Sequence, residues 1–189
     1  MQAKYGSAVA NKNSSVLMQA AAKALSVIGV VNPDEFLKSY ATTIDGIIYV
    51  PFEIGAADDT WDLWDQVIVC AHEHHHIEQQ RKIGKATFDW RYLSDSSARA
   101  QFEAEAYACA VELDFWRYGK LSYTPESVAR FIRGYGCSDN DVEIAGDRLR
   151  VLGETVLAGG IVNESSCEVI AWLEEHAPAV REIISGVEP

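Results

Sequence analysis

Four of the chain's five histidines fall in one run, Val69-Cys70-Ala71-His72-Glu73-His74-His75-His76. On a helix, at about 100° per residue, His72 and His76 stand one turn apart and only about 40° around the axis, so both rings reach one ion. Glu73 lies about 100° from His72 on the same side, where its carboxylate can work on a water at that ion without becoming a ligand. Zinc suits this pattern, because it takes imidazole nitrogen and lowers the pKa of a water at its open position from 15.7 toward roughly 7. Glu73 is then the expected general base, taking that proton and returning it to a leaving amine. His74 falls about 200° from His72 and cannot share its metal, whereas His75, about 60° away on the side opposite Glu73, could border a cleft.

Catalytic zinc usually keeps three protein ligands and one open position. The next long helical segment, Arg99-Ala100-Gln101-Phe102-Glu103-Ala104-Glu105-Ala106-Tyr107-Ala108-Cys109-Ala110, offers a carboxylate in Glu103, 27 positions after His76. Its alanines at 104, 106, 108 and 110 are small enough to let this helix approach the histidine helix closely. Glu105 is the competing ligand, about 200° around the helix from Glu103, so only one of the two faces the metal. Glu103 is preferred because it shares an apolar packing face with Ala106, Tyr107 and Ala110.

With both motifs in place, the sequence resembles the gluzincin metallopeptidases, in which H-E-x-x-H is followed on a second helix by a ligand glutamate in an E-x-x-A-[D] context. The resemblance implies His72, His76 and Glu103 as ligands of Zn2+, Glu73 as the base, and a peptide or protein as substrate. It also implies a zincin-like core of two packed helices with a small sheet, over residues 44 to 118, and an edge strand near Ile47 to Val50 that binds extended peptide by β-augmentation. Many relatives carry an aspartate four residues after the ligand glutamate; this chain has Tyr107, whose phenolic oxygen could accept an imidazole N–H but polarises the ring less. Tyr92, Tyr118, Arg91 and His75 are the candidate donors to a developing oxyanion. A zincin-like binding or assembly protein with a structural or vestigial metal is the alternative reading.

The elements that position these groups can be read from the same chain. Val16, Leu17, Ala20, Ala21, Ala24, Leu25 and Ile28 predict an amphipathic helix over Ser14 to Val30, with Ser14 or Ser15 as its cap. Thr42 to Ile54, with Asp45-Gly46, reads as a hairpin or edge strand. The histidine helix should begin near Asp58 to Asp62 and run to Ile83 before Gly84. Phe88 to Leu93 is a short extended candidate, and Ser94 to Ser97 leads into a helix from about Ala98 to Tyr118, ended by Gly119. Helices are expected at Pro125 to Gly134, behind a Thr124 cap, at Asp139 to Leu157 and at Glu164 to His176. Trp61 and Trp64, at helical spacing, look like core contacts. The fold class is α+β and mainly helical, with a small sheet or hairpin and added C-terminal helices from about residue 119 to 189.

At 189 residues, 48% apolar and 23% charged, the chain has the composition of one globular domain. A net charge of -12 lacks the basic stripe that nucleic-acid backbones require. The apolar stretches are too short to cross a bilayer of about 30 Å, so no membrane partner is expected. Asn11 to Ser15 interrupt any apolar leader, which points to the cytoplasm. Cys70, Cys109, Cys137 and Cys167 form no C-x-x-C pair and read as buried free thiols in a reducing compartment.

Overall fold

The computed structural model describes residues 1–27, 33–121 and 123–181. A short helix, α1 (Gln2–Tyr5), leads into strand β1 (Ala8–Asn11). Strands β2 (Thr42–Ile44) and β3 (Ile47–Val50) form the expected hairpin. Asp45 and Gly46 both take positive φ, 52° and 74°, which is the backbone a two-residue hairpin turn needs, and Ile44 stands across from Ile47. The strand expected at an edge is central, however. β1 pairs in parallel along the other side of β3, from Ala8 opposite Ile47 to Asn11 opposite Val50. Four small or mixed residues, Ala-Val-Ala-Asn, carry no alternation to announce a strand. Flanked on both sides, β3 buries Ile48, Tyr49 and Val50, and among the described residues β1 and β2 are the outer strands of the sheet.

The helices begin where local capping chemistry places them. Ser15 Oγ accepts from the Met18 N–H at 3.3 Å ahead of α2 (Val16–Val27), and the expected continuation through Ile28 to Val30 lies outside the described residues. A further helix, α3 (Pro33–Ser39), precedes the hairpin. Asp62 caps α4 (Leu63–Ile83), which carries the histidines and ends at Gly84 with φ 85°. Asp95 caps α6 (Ser96–Tyr118), which Gly119 stops in the left-handed region. Thr124 and Pro125 open α7 (Pro125–Ile132), followed by a 3-10 turn at Arg133–Tyr135, then α8 (Asp139–Leu157) and α9 (Glu164–His176).

Phe88 to Leu93, expected to be extended, instead belongs to helix α5 (Lys85–Ser94). Phe88 and Tyr92 are four apart and stack at 5.6 Å, and Phe88 packs on Phe102 of α6 at 4.7 Å. Only a helix puts both rings on one face, so packing overrides the strand preference of aromatic residues.

Helix α4 sits between the other layers. Trp64 and Ala71 pack with Cys109, Leu113 and Trp116 of α6 and with Val169 and Leu173 of α9, while Ile77 joins Ile48, Val50 and Phe52 beside the sheet. Trp61 precedes the helix and rests on Phe52 at 5.3 Å. On α6, Ala100, Ala104 and Ala108 pack against Val128, Ala129 and Ile132 of α7 and Val142, Ala145 and Leu149 of α8. Ala104 and Ala108 therefore admit α7 and α8, not the histidine helix. Cys109 and Cys137 are buried, Cys70 is half-buried and Cys167 is exposed, which corrects the expectation of four buried thiols; all four are free. Among the described residues no helix is long and apolar enough to cross a membrane.

One buried amine stands out beside the sheet. The Lys12 side chain is wholly enclosed; Nζ donates to Tyr40 O at 2.9 Å and Thr42 Oγ1 at 2.7 Å and lies 3.5 Å from the centre of the Phe36 ring. Burial lowers its pKa from 10.5 to about 7, with the Glu73 charge acting the other way. Between those values the unfolded chain holds a proton that the folded chain lacks, so this group's contribution to stability rises with pH across that window and is least favourable below it. The thermal-midpoint difference, Lys12→Met minus wild type, is accordingly expected to be more positive near about pH 6 than near about pH 10. Equal differences at the two values, by circular dichroism, would refute the assignment.

Candidate metal centre

Helix periodicity carries His72 and His76 to one side of α4, where their Nε2 atoms stand 3.1 Å apart. From α6, Glu103 reaches across to the same point, with Oε2 3.3 Å from His72 Nε2 and Oε1 3.5 Å from His76 Nε2. One ligand atom from each of the three lies within 4.8 Å of the others, and all three residues are buried. Glu103 is fully enclosed, and the histidines keep 7–8% exposure. Glu105 is directed elsewhere: it pairs with Arg148 on α8 and accepts from Gln79 Nε2 at 2.8 Å.

Gln79 orients the centre, and the sequence reading missed it. Its amide nitrogen donates to Phe102 O at 2.9 Å and to Glu105, so its carbonyl oxygen is the end that faces His76 Nδ1 at 2.8 Å. That contact assigns an N–H to Nδ1 and points Nε2 toward His72 and Glu103. The spacing His76-x-x-Gln79 on one helix face was the available signal. Tyr92 donates its hydroxyl to Glu103 Oε1 at 2.5 Å. Among the described residues Glu103 Oε2, though 3.3 Å from His72 Nε2, completes no hydrogen bond.

A buried carboxylate facing two imidazole nitrogens requires a cation among them. Without a metal, that cation is a proton. Burial opposes charge on His76, but the Glu103 carboxylate outweighs burial and holds its pKa up at about 9. Burial likewise pushes Glu103 up, and His76 and His72 more than reverse it, leaving the carboxyl well below the ordinary range. Two nitrogens and one oxygen at this spacing, with an orphaned oxygen, also fit a divalent ion of borderline softness such as zinc.

Glu73 stands outside this triad, buried, and its Oε2 accepts from Thr43 Oγ1 at 2.6 Å. Tyr107 lies against His72 edge-on, ring centres 4.8 Å apart. Its hydroxyl pairs with the Tyr135 hydroxyl at 3.3 Å instead of accepting an imidazole N–H, which corrects the expected role. Tyr135 comes from the 3-10 turn after α7 and also meets the Tyr40 ring at 5.5 Å, so the C-terminal region, which carries no motif, supplies a wall. Neither Thr43 nor Tyr135 had a signal in sequence, because only tertiary packing, of β2 on α4 for Thr43 and of the turn after α7 for Tyr135, brings them here.

The other expected residues lie apart. His74 contacts Ser7, Cys70 O and the Tyr5 ring. His75, with 3% exposure, lies near Glu78 and Glu105, away from the triad, and Arg91 shares its side of the molecule. Tyr118 packs edge-on against Trp64 in the core.

No family model matches the chain, and neither a curated protein nor a solved structure does. What defines the site is its own geometry, a buried His/His/Glu cluster with a separate carboxylate beside it.

Two outcomes test the cluster. If the cluster takes zinc, Glu103→Ala should abolish stoichiometric binding by elemental analysis while Glu105→Ala retains it; the reverse pattern would transfer the ligand role to Glu105. Because the metal-free site holds a proton on His76 below about 9, a divalent ion that displaces it, zinc in the first instance, should show an apparent affinity that rises with pH between about 6 and 8. A chelator competition series showing no pH dependence would contradict that proton inventory.

Proposed function

We propose that this protein is a zinc-dependent peptidase of the gluzincin type, with His72, His76 and Glu103 holding the metal and Glu73 acting as general base. The observation that carries the reading is Glu103 Oε2, buried against the two imidazoles and completing no hydrogen bond among the described residues. The metal, when bound, supplies a Lewis acid and an acidified water. Thr43 engages one oxygen of Glu73 and orients the carboxylate, leaving the other as its acid–base edge. Tyr92 fixes Glu103, and Gln79 fixes His76, so neither ligand has to reorganise. Tyr107 and Tyr135 are held in the neutral form chiefly by burial and offer hydroxyl donors beside His72 for a developing oxyanion.

An extended peptide would add to β2, not β3. β2 is an outer strand among the described residues, and Thr43 on it touches Glu73, which ties the edge to the base. The low exposure of the cluster favours a second reading, in which the metal clamps α4 to α6 without catalysis.

Glu73→Gln decides between them. Under the peptidase reading the variant keeps zinc and loses roughly 100-fold or more of the chelator-sensitive cleavage of a peptide library. Zinc retained with an unchanged rate, or wild type with no chelator-sensitive cleavage, favours the clamp.

A further inference from the structure

A cavity of about 480 Å3 opens between α4, α6 and α8, and none of the cluster residues His72, Glu73, His76 or Glu103 lines it. Its volume is within the roughly 300–1,000 Å3 typical of small-molecule sites. We propose that this cavity is a binding site for a small organic carboxylate with an apolar tail. Carboxylate binding here needs no metal, so the inference stands apart from the peptidase reading.

Charge is the first argument. In a chain of net charge -12, the cavity wall carries Lys82, Arg91 and Arg148 against the single carboxylate of Glu105. Glu105 is already satisfied: Arg148 pairs with one oxygen, and Gln79 donates to the other. Lys82 and Arg91 are left over. Neither forms a close salt bridge among the described residues, Lys82 acting only through space on Glu78, and the Arg91 guanidinium lies 5.4 Å from the centre of the Phe102 ring. An arginine fork and an ammonium across one cavity suit a carboxylate, which accepts from both through charge-assisted bonds.

The second argument is the apolar share of the wall. Ile83 and Val162 are 37% and 51% exposed, and with Phe102 and Leu152 they line the same space as the two cations. A hydrated inorganic anion would leave that surface in water; an aliphatic tail covers it. Third, a buried imidazole lines the same space. His75 is 3% exposed, with Nδ1 3.2 Å from Glu78 Oε2 and Nε2 4.0 Å from Glu105 Oε2, and among the described residues neither nitrogen completes a hydrogen bond. Gln79 forms the partition, facing Glu105 on this side and His76 on the other.

Hexanoate is a suitable probe, titrated into zinc-free protein at low ionic strength so that neither metal coordination nor screening intervenes. Saturable shifts are expected at the side-chain amide signals of Gln101 and Asn163, which line the cavity. Hexanamide, the neutral counterpart, should bind at least roughly ten-fold more weakly, as should hexanoate to the exposed-site double variant Lys82→Met/Arg91→Met. Val162→Glu, also at an exposed position, places a repelling charge at the apolar rim and should weaken binding without disturbing the core. The proposal is overturned if hexanoate gives no saturable shift, if hexanamide binds equally, if the double variant is unchanged, or if inorganic phosphate binds as tightly as hexanoate.

Discussion

From His72 to Gln80, α4 places eight polar side chains where water scarcely reaches, interrupted only by Ile77. A helix buried on all sides is ordinarily apolar all round. Here each enclosed group must find a partner, and leaving one without costs about 1–3 kcal/mol. The surrounding elements supply those partners. Tyr5 donates to Glu78, Ser7 meets His74, Thr43 reaches Glu73, and α6 provides Phe102 O and Glu105 for Gln79. The N-terminal segment and the edge strand β2 are thus tied to the histidine helix by hydrogen bonds as well as by apolar contact.

Helix α6 divides its surface to serve this arrangement. One face turns Glu103 and Tyr107 toward the histidines, another packs Ala100, Ala104 and Ala108 against α7 and α8, and Glu105 leaves for the cavity. Close packing through the alanines lets α8 approach, and that approach brings Arg148 to Glu105. Glu112, fully enclosed, accepts from the backbone N–H groups of Val162 and Asn163 and so anchors the entry to α9. A carboxylate on this helix acquires its role from the face it occupies.

The centre and the cavity share one residue between them. Gln79 spends its carbonyl on His76 and its amide on Phe102 O and Glu105, so it cannot rotate without breaking contacts on both sides. That rigidity sets the imidazole in the orientation that directs Nε2 toward Glu103, and it makes the His76-to-Glu105 path a continuous polar network.

Local chemistry was legible in the sequence wherever a residue's neighbours along the chain decide its state. Caps at Asp62, Asp95 and Thr124, the Asp45-Gly46 turn and the i, i+4 placement of His72 and His76 all depend on a few adjacent residues. Helical phase likewise separated Glu103 from Glu105. Tertiary structure alone decided that β3 is central, that Phe88 to Leu93 is helical, that Ala104 and Ala108 face α8, and that Thr43 and Tyr135 stand at the site. Those outcomes depend on contacts between residues far apart in sequence. Periodicity shows which side chains share a face, but only the packed molecule shows what that face meets.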